Sequence, residues 1–170
     1  MAVEESISNG KVHPVDGGES AMKPAGQSGA QKRPVQSFTP DSHSGCLLCG
    51  KMNPWSLGLC FESTGENVVE TVVQLNRRLQ GYNGILHGGV IGSLLDAAMT
   101  HCLFHAGIEA VTGDLHVRFV RPVPCDTKVT VRSWVLCSFP PLYSARAELL
   151  FEGHVMAWGE GKFARRREKP

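Results

Sequence analysis

One run constrains the fold of this chain more than any other: 84-GILHGGVIGSLLDAAMTHC-102. Its apolar residues Val90, Ile91, Leu94, Leu95, Ala98, Met99, Cys102 and Leu103 recur at i, i+1, i+4 and i+5, which draws a stripe along one side of a helix. The spacing predicts a helix over Gly88–His105, with Gly107 as its stop. Such a stripe must be buried against a second layer.

The rest of the patterned chain reads as strands. Leu57 to Phe61 (LGLCF) and Asn67 to Leu75 (NVVETVVQL) are two, with STGEN between them as a hairpin loop. After the helix the period becomes two. Val111, Gly113, Leu115, Val117 and Phe119 alternate with Thr112, Asp114, His116 and Arg118, and Pro122 and Pro124 break the run. Three further candidates, 127–136, 142–151 and 154–163, are separated only by SFPP and EG, and connections this short imply an antiparallel meander. The order β-β-α-β-β-β-β makes this an α+β chain. Its antiparallel sheet curls as it twists, and the striped helix is the candidate cover for the concave face.

At 170 residues the chain suits one domain with a sizeable core. Residues 1–42 are rich in Gly, Ser, Lys, Pro and Gln without apolar periodicity, and are expected to form a disordered tail. The domain is expected over 43–165, with a basic end at 166–170. A net charge of +1 points to neither nucleic acid nor an anionic membrane as a partner. No apolar run is long enough to span a bilayer. The start, MAVEESISNG, has neither an apolar core nor an Arg-rich amphipathic pattern, which favours the cytoplasm, and the six scattered cysteines read as reduced thiols.

The helix also carries chemistry. Its first turn leaves N–H groups unpaired at the positive end of the helix dipole. Gly88 and Gly89 have no Cβ, so a ligand oxygen can approach those groups closely, which suits polarisation of a carbonyl. The plainer alternative is that the two glycines make a tight turn into the helix. Asp96 falls beside the stripe, on a face shared with the small residues Gly89, Gly92, Ser93 and Thr100. A partly desolvated carboxylate there gains basicity unless a partner offsets it. Alternatively, it is a solvated acid or one paired with a nearby Arg or His.

Spacing limits how these groups could cooperate. Gly88 and Asp96 are eight residues apart, ~12 Å along a helix. A carboxylate attacking a carbonyl held at the helix start must approach to ~3–3.5 Å. One chain cannot bring its own pair together. Two antiparallel helices across a two-fold axis could, so joint action requires at least a dimer.

The element order and HGGVIGSLLDAAM together resemble the hotdog-fold acyl-CoA thioesterases of the PaaI-like branch. The similarity runs from about Cys46 to Phe163 and includes CLLCGKMNPWSLGL, GYNGILHGGVIGSLLDAAM and VRFVRPVP. It implies a curled antiparallel sheet wrapped around one central helix, acting on acyl-CoA and water with no further cofactor. The alternative Asp/His helix signature of hydratases with this fold is absent. The resemblance assigns Asp96 as nucleophile or general base, and the Gly88 N–H as the group polarising the thioester carbonyl. It places Thr112 where a hydroxyl orients water and His87 near the thioester sulfur or the backbone, with Gly89 beside them. Many relatives have an Asn six residues before this His; here that position is Gly81, and Asn83 lies four before. The expected assembly is a homodimer, with a homotetramer left open. A non-catalytic acyl-CoA or lipid-binding hotdog module is the alternative function.

Other features carry plainer readings. His43-x-x-Cys46-x-x-Cys49, with Cys60 nearby, offers soft ligands suited to zinc. There is only one Cys-x-x-Cys, however, and Cys60 alternates within a predicted strand, so packing or turn roles are preferred and no metal is expected. His101 and His105, spaced i, i+4, read as polar surface near the helix end rather than a metal pair. Arg165 to Arg167 could meet coenzyme A phosphates but reads as a solvated end, and Trp55, Trp134 and Trp158 read as core or interface.

Overall fold

The structure, a computed structural model, describes residues 39–166. Most of the expected tail and of the basic end therefore lies outside the described residues. In chain order the elements are β1 (Glu62–Gly65), β2 (Val68–Gln74), β3 (Gln80–Tyr82), β4 (Ile85–Leu86), α1 (Gly88–His105), β5 (Ala110–Phe119), β6 (Lys128–Phe139), β7 (Leu142–Phe151) and β8 (His154–Arg165). Short 3-10 turns occupy Asp41–His43 and Arg77–Leu79.

Helix α1 forms over the span its stripe predicts. Leu94, Leu95, Ala98 and Met99 are fully buried, Ile91, Cys102 and Leu103 nearly so, and only Val90 stays half-buried. The helix ends at Ala106, and Gly107 follows with a φ of 73°, a left-handed stop that a Cβ would strain. Six strands build one antiparallel sheet ordered β1-β2-β6-β7-β8-β5. One face packs α1 through Val69, Val73, Val129, Val131, Ala145, Ala147, Leu149, Ala157 and Phe163. The turn between β7 and β8 places Glu152 and Gly153 at φ of 50° and 78°, the mirror-image turn that matches strand twist.

Three expectations change. LGLCF forms no strand; it runs as irregular chain whose Leu57 and Leu59 N–H groups donate to the Leu47 and Leu48 carbonyls, while Leu59 and Phe61 enter the core. The first strand lies just after it, within the expected hairpin loop, and every residue of β1 is exposed, so no apolar alternation marks it. His101 is not on the surface. It is buried, stacked on Phe61 with ring centroids 4.5 Å apart and edge-on to Phe104. The His105 Nδ1 meets the His101 carbonyl at 2.9 Å, so the two imidazoles do not form a metal pair. Trp55 is exposed, whereas Trp158 lies on the outer sheet face beneath Arg146, whose guanidinium carbon is 4.4 Å from its centroid.

Because Leu95 is fully enclosed between α1 and the sheet, Leu95→Ala should destabilise the fold by about 3 kcal/mol. Urea denaturation checks this; a loss below about 1 kcal/mol would contradict the packing described.

Candidate active site

The start of α1 is built by its own sequence. The β3–β4 hairpin delivers the chain to His87, whose extended backbone caps the helix and whose Nδ1 accepts the Gly89 N–H at 2.9 Å. That role requires Nδ1 to be unprotonated. The Val90 and Ile91 N–H groups both donate to the His87 carbonyl. Of the first-turn donors, the Gly88 N–H has no acceptor among the described residues. Expected availability of both glycine N–H groups thus narrows to one. His87, expected near the thioester sulfur or the backbone, contacts the backbone of its own helix.

Asp96 is half-buried two turns further on, and Thr112 reaches it from β5: the hydroxyl donates to Oδ1 at 2.7 Å. Strict alternation would have turned Thr112 away from the helix. The register shows why it does not. Thr112 lies opposite Phe163 and Leu115 opposite Gly161, so three steps on β5 match two on β8, and the extra residue between Thr112 and Asp114 bulges the strand. Residues directly opposite share a face. Thr112, Leu115, Val117 and Phe119 therefore face α1 with Phe163, Gly161, Gly159 and Ala157, while Val111, Asp114, His116 and Arg118 face outward. A glycine within an alternating run is the sequence signal for such a bulge, and Gly113 sits in this one.

Two further neighbours were not anticipated. A Cβ built on Gly88 would stand 3.4 Å from the Phe119 ring, so the far end of β5 adjoins the helix start. A Cβ on Gly81 would meet His87 at 3.1 Å. Asn83 is instead exposed at the turn of the β3–β4 hairpin, and no hydrogen bond joins it to Asp96, Thr112 or His87 among the described residues. Cys102, the thiol on α1, donates to the Asn67 carbonyl at 3.3 Å, and burial pushes it up to about 11, which suits packing rather than nucleophilic attack. Arg166 pairs with Glu109 at 3.4 Å.

One central helix held in a curled antiparallel sheet, with an acid on its outward edge, defines a hotdog domain. Residues 83–137 match the model of the Thioesterase superfamily, covering the helix and β5. Acyl-coenzyme A thioesterase THEM4 of Bos taurus is 33% identical over 73 residues, 43% of this chain and 30% of that protein. The chain thus spans under a third of the length of the curated relatives it matches. Among solved structures, conserved protein PA5202 from Pseudomonas aeruginosa superposes with a TM-score of 0.61 at 25% identity, over 75% of this chain and all of that one. The PaaI protein from the phenylacetic acid degradation operon of E. coli gives 0.61 at 21% identity, over 65% and 81%. The domain has the hotdog fold, and over residues 83–137 its sequence is similar to the Thioesterase superfamily.

Losing the His87 ring removes the acceptor for the Gly89 N–H. His87→Ala should therefore cost about 1 kcal/mol of stability without changing the fold. Thermal denaturation followed by circular dichroism measures it, and an unchanged midpoint would mean the cap contributes nothing.

Proposed function

We propose that this domain hydrolyses an acyl-CoA thioester to a free carboxylic acid and coenzyme A, at a site completed by a second copy of the chain. The observation that carries the reading is the Asp96–Thr112 pair at the free edge of the sheet, separated along the helix from the unpaired Gly88 N–H.

Strand β5 is an edge strand of ten residues, and it exposes apolar side chains, with Leu115 37% and Phe119 52% accessible. An unpaired edge of that length and character favours pairing with another chain. Antiparallel pairing of two β5 strands about a two-fold axis at His116, with the extra residue at the Gly113 bulge, would set Thr112 of one copy against Phe119 of the other. Asp96 accompanies Thr112, and Gly88 accompanies Phe119. The pairing thus brings the acid of one copy toward the helix start of the other, closing the ~12 Å gap that one helix leaves.

In that arrangement the Gly88 N–H polarises the thioester carbonyl and stabilises the oxyanion. The Thr112 hydroxyl holds Oδ1 of Asp96 and leaves Oδ2 for the reaction. Asp96 either attacks the carbonyl, expelling the thiolate and forming an anhydride that water cleaves, or takes a proton from the attacking water. Each route consumes one water and releases one acid and one thiol. The free thiols at all six cysteines suit the cytoplasmic setting expected from the sequence.

Asp96→Asn and Asp96→Ala should lower kcat by at least about 100-fold, measured on an acyl-CoA panel with a thiol-detecting reagent, while leaving the oligomer intact. Thr112→Val should lower it on the order of 10-fold. Near-native turnover in either Asp96 variant would sink the assignment, and acyl-CoA binding by the wild type without thiol release would favour the non-catalytic module.

Gly88→Pro makes a sharper test. Proline fits the first helical position, and the residue before it, His87, already has the extended backbone that proline demands. The substitution removes the N–H and adds a ring whose Cβ would lie at ordinary contact distance, 3.4 Å, from the Phe119 ring. A folded, oligomeric Gly88→Pro protein should be inactive; one with wild-type kcat would exclude the N–H from the mechanism.

A further inference from the structure

Ahead of the sheet lies a cluster that thioester hydrolysis does not use. His43, Cys46 and Cys49 each offer one donor atom, and the three atoms lie within 4.8 Å of one another. The His43 Nδ1 is 3.5 Å from the Cys49 Sγ. A tetrahedral zinc-class ion, with bonds of ~2.05 Å to nitrogen and ~2.3 Å to sulfur, sets such atoms ~3.6 Å apart and two sulfurs ~3.8 Å apart. The His43–Cys49 pair already has that spacing, and the other pairs lie within 4.8 Å.

The chain around it is shaped to hold the sulfurs. Cys46 and Cys49 sit on a tight loop in which the Leu48 N–H donates to the Cys46 Sγ at 3.3 Å and the Gly50 N–H donates to the Cys46 carbonyl at 2.9 Å. A Cβ on Gly50 would lie 2.4 Å from the Cys46 nitrogen and 2.5 Å from the carbonyl oxygens of Cys46 and Ser44, so only glycine closes this turn. His43 is fixed from the other side, its ring edge-on to Phe104 with centroids 4.9 Å apart. Cys49 is buried, and the cleft beside it is also lined by Asp41, Ser44 and Cys60. From the sequence, Cys60 is expected to alternate within a strand. That segment is not a strand, and Cys60 lines the cleft that also reaches Cys49.

We propose that His43, Cys46 and Cys49 bind one divalent zinc-class cation, with the fourth coordination position opening to the cleft that Cys60 lines. Binding releases the two thiol protons as the sulfurs become thiolates. The site lies against Phe104, two turns of α1 beyond Asp96, so the ion acts as a structural clasp. It ties the 41–60 segment to the C-terminal half of the helix, apart from the reacting groups.

The full chain, purified under reducing conditions, is incubated with Zn²⁺, dialysed and assayed for metal. A parallel sample is stripped and titrated with Co²⁺. The proposal expects one equivalent of either ion per chain, a thiolate-to-cobalt charge-transfer band, and a fall in thermal midpoint on chelation. Cys46→Ser and Cys49→Ser should lose the ion and the band, while Cys102→Ser keeps both. If a serine variant fails to fold, thiol titration of the wild type decides: chelation should expose two additional reactive thiols. Sub-stoichiometric metal in the wild type, retention of the ion by Cys46→Ser, or no newly reactive thiols on chelation would overturn it.

Discussion

Leu94, Leu95, Ala98 and Met99 are sealed between α1 and the concave face of the sheet, and this contact decides which side of the helix is left for chemistry. Turning that stripe inward leaves Gly89, Gly92, Ser93 and Asp96 along the rim of the contact, beside the edge strand β5. Because the helix cannot rotate without exposing its stripe, the carboxylate cannot leave the rim. The apolar packing is thus what places the acid, and Thr112 then orients it.

The same packing fixes the separation of the two groups that the proposed mechanism pairs. The helix is rigid, so Gly88 and Asp96 stay ~12 Å apart in any one copy. Under the proposed mechanism only a second copy could supply the missing partner, and the free edge of β5 offers the sheet a place to accept one. A bulge at Gly113 matters here out of proportion to its size. Without it Thr112 would face outward with Val111's neighbours, and Asp96 would lose its hydroxyl donor.

The sequence made much of this legible, unevenly. The span of α1 follows from an apolar period that the sheet's concavity later satisfies, and β7 follows from turns at both ends. Asp96 and Gly88 stood out because an acid and a glycine pair are unusual beside such a stripe. What was missed depends on tertiary context. Strand β1 is exposed on both faces and so carries no alternation. Phe61 stacks on the buried His101 and Phe104 meets it edge-on, contacts that spacing along one helix cannot reveal. The assembly of His43 with the two cysteines depends on a loop closed by Gly50 and on contact with Phe104, neither visible as periodicity.

A site shared between copies is tested most directly by complementation. Asp96→Asn and Gly88→Pro chains, each inactive alone and carrying different tags, are co-expressed and the mixed dimers confirmed by tandem purification. A mixed dimer holds one site with both defects and one with neither, so an equal mixture should recover about one quarter of wild-type activity. Mixed dimers as inactive as their parents would contradict the account.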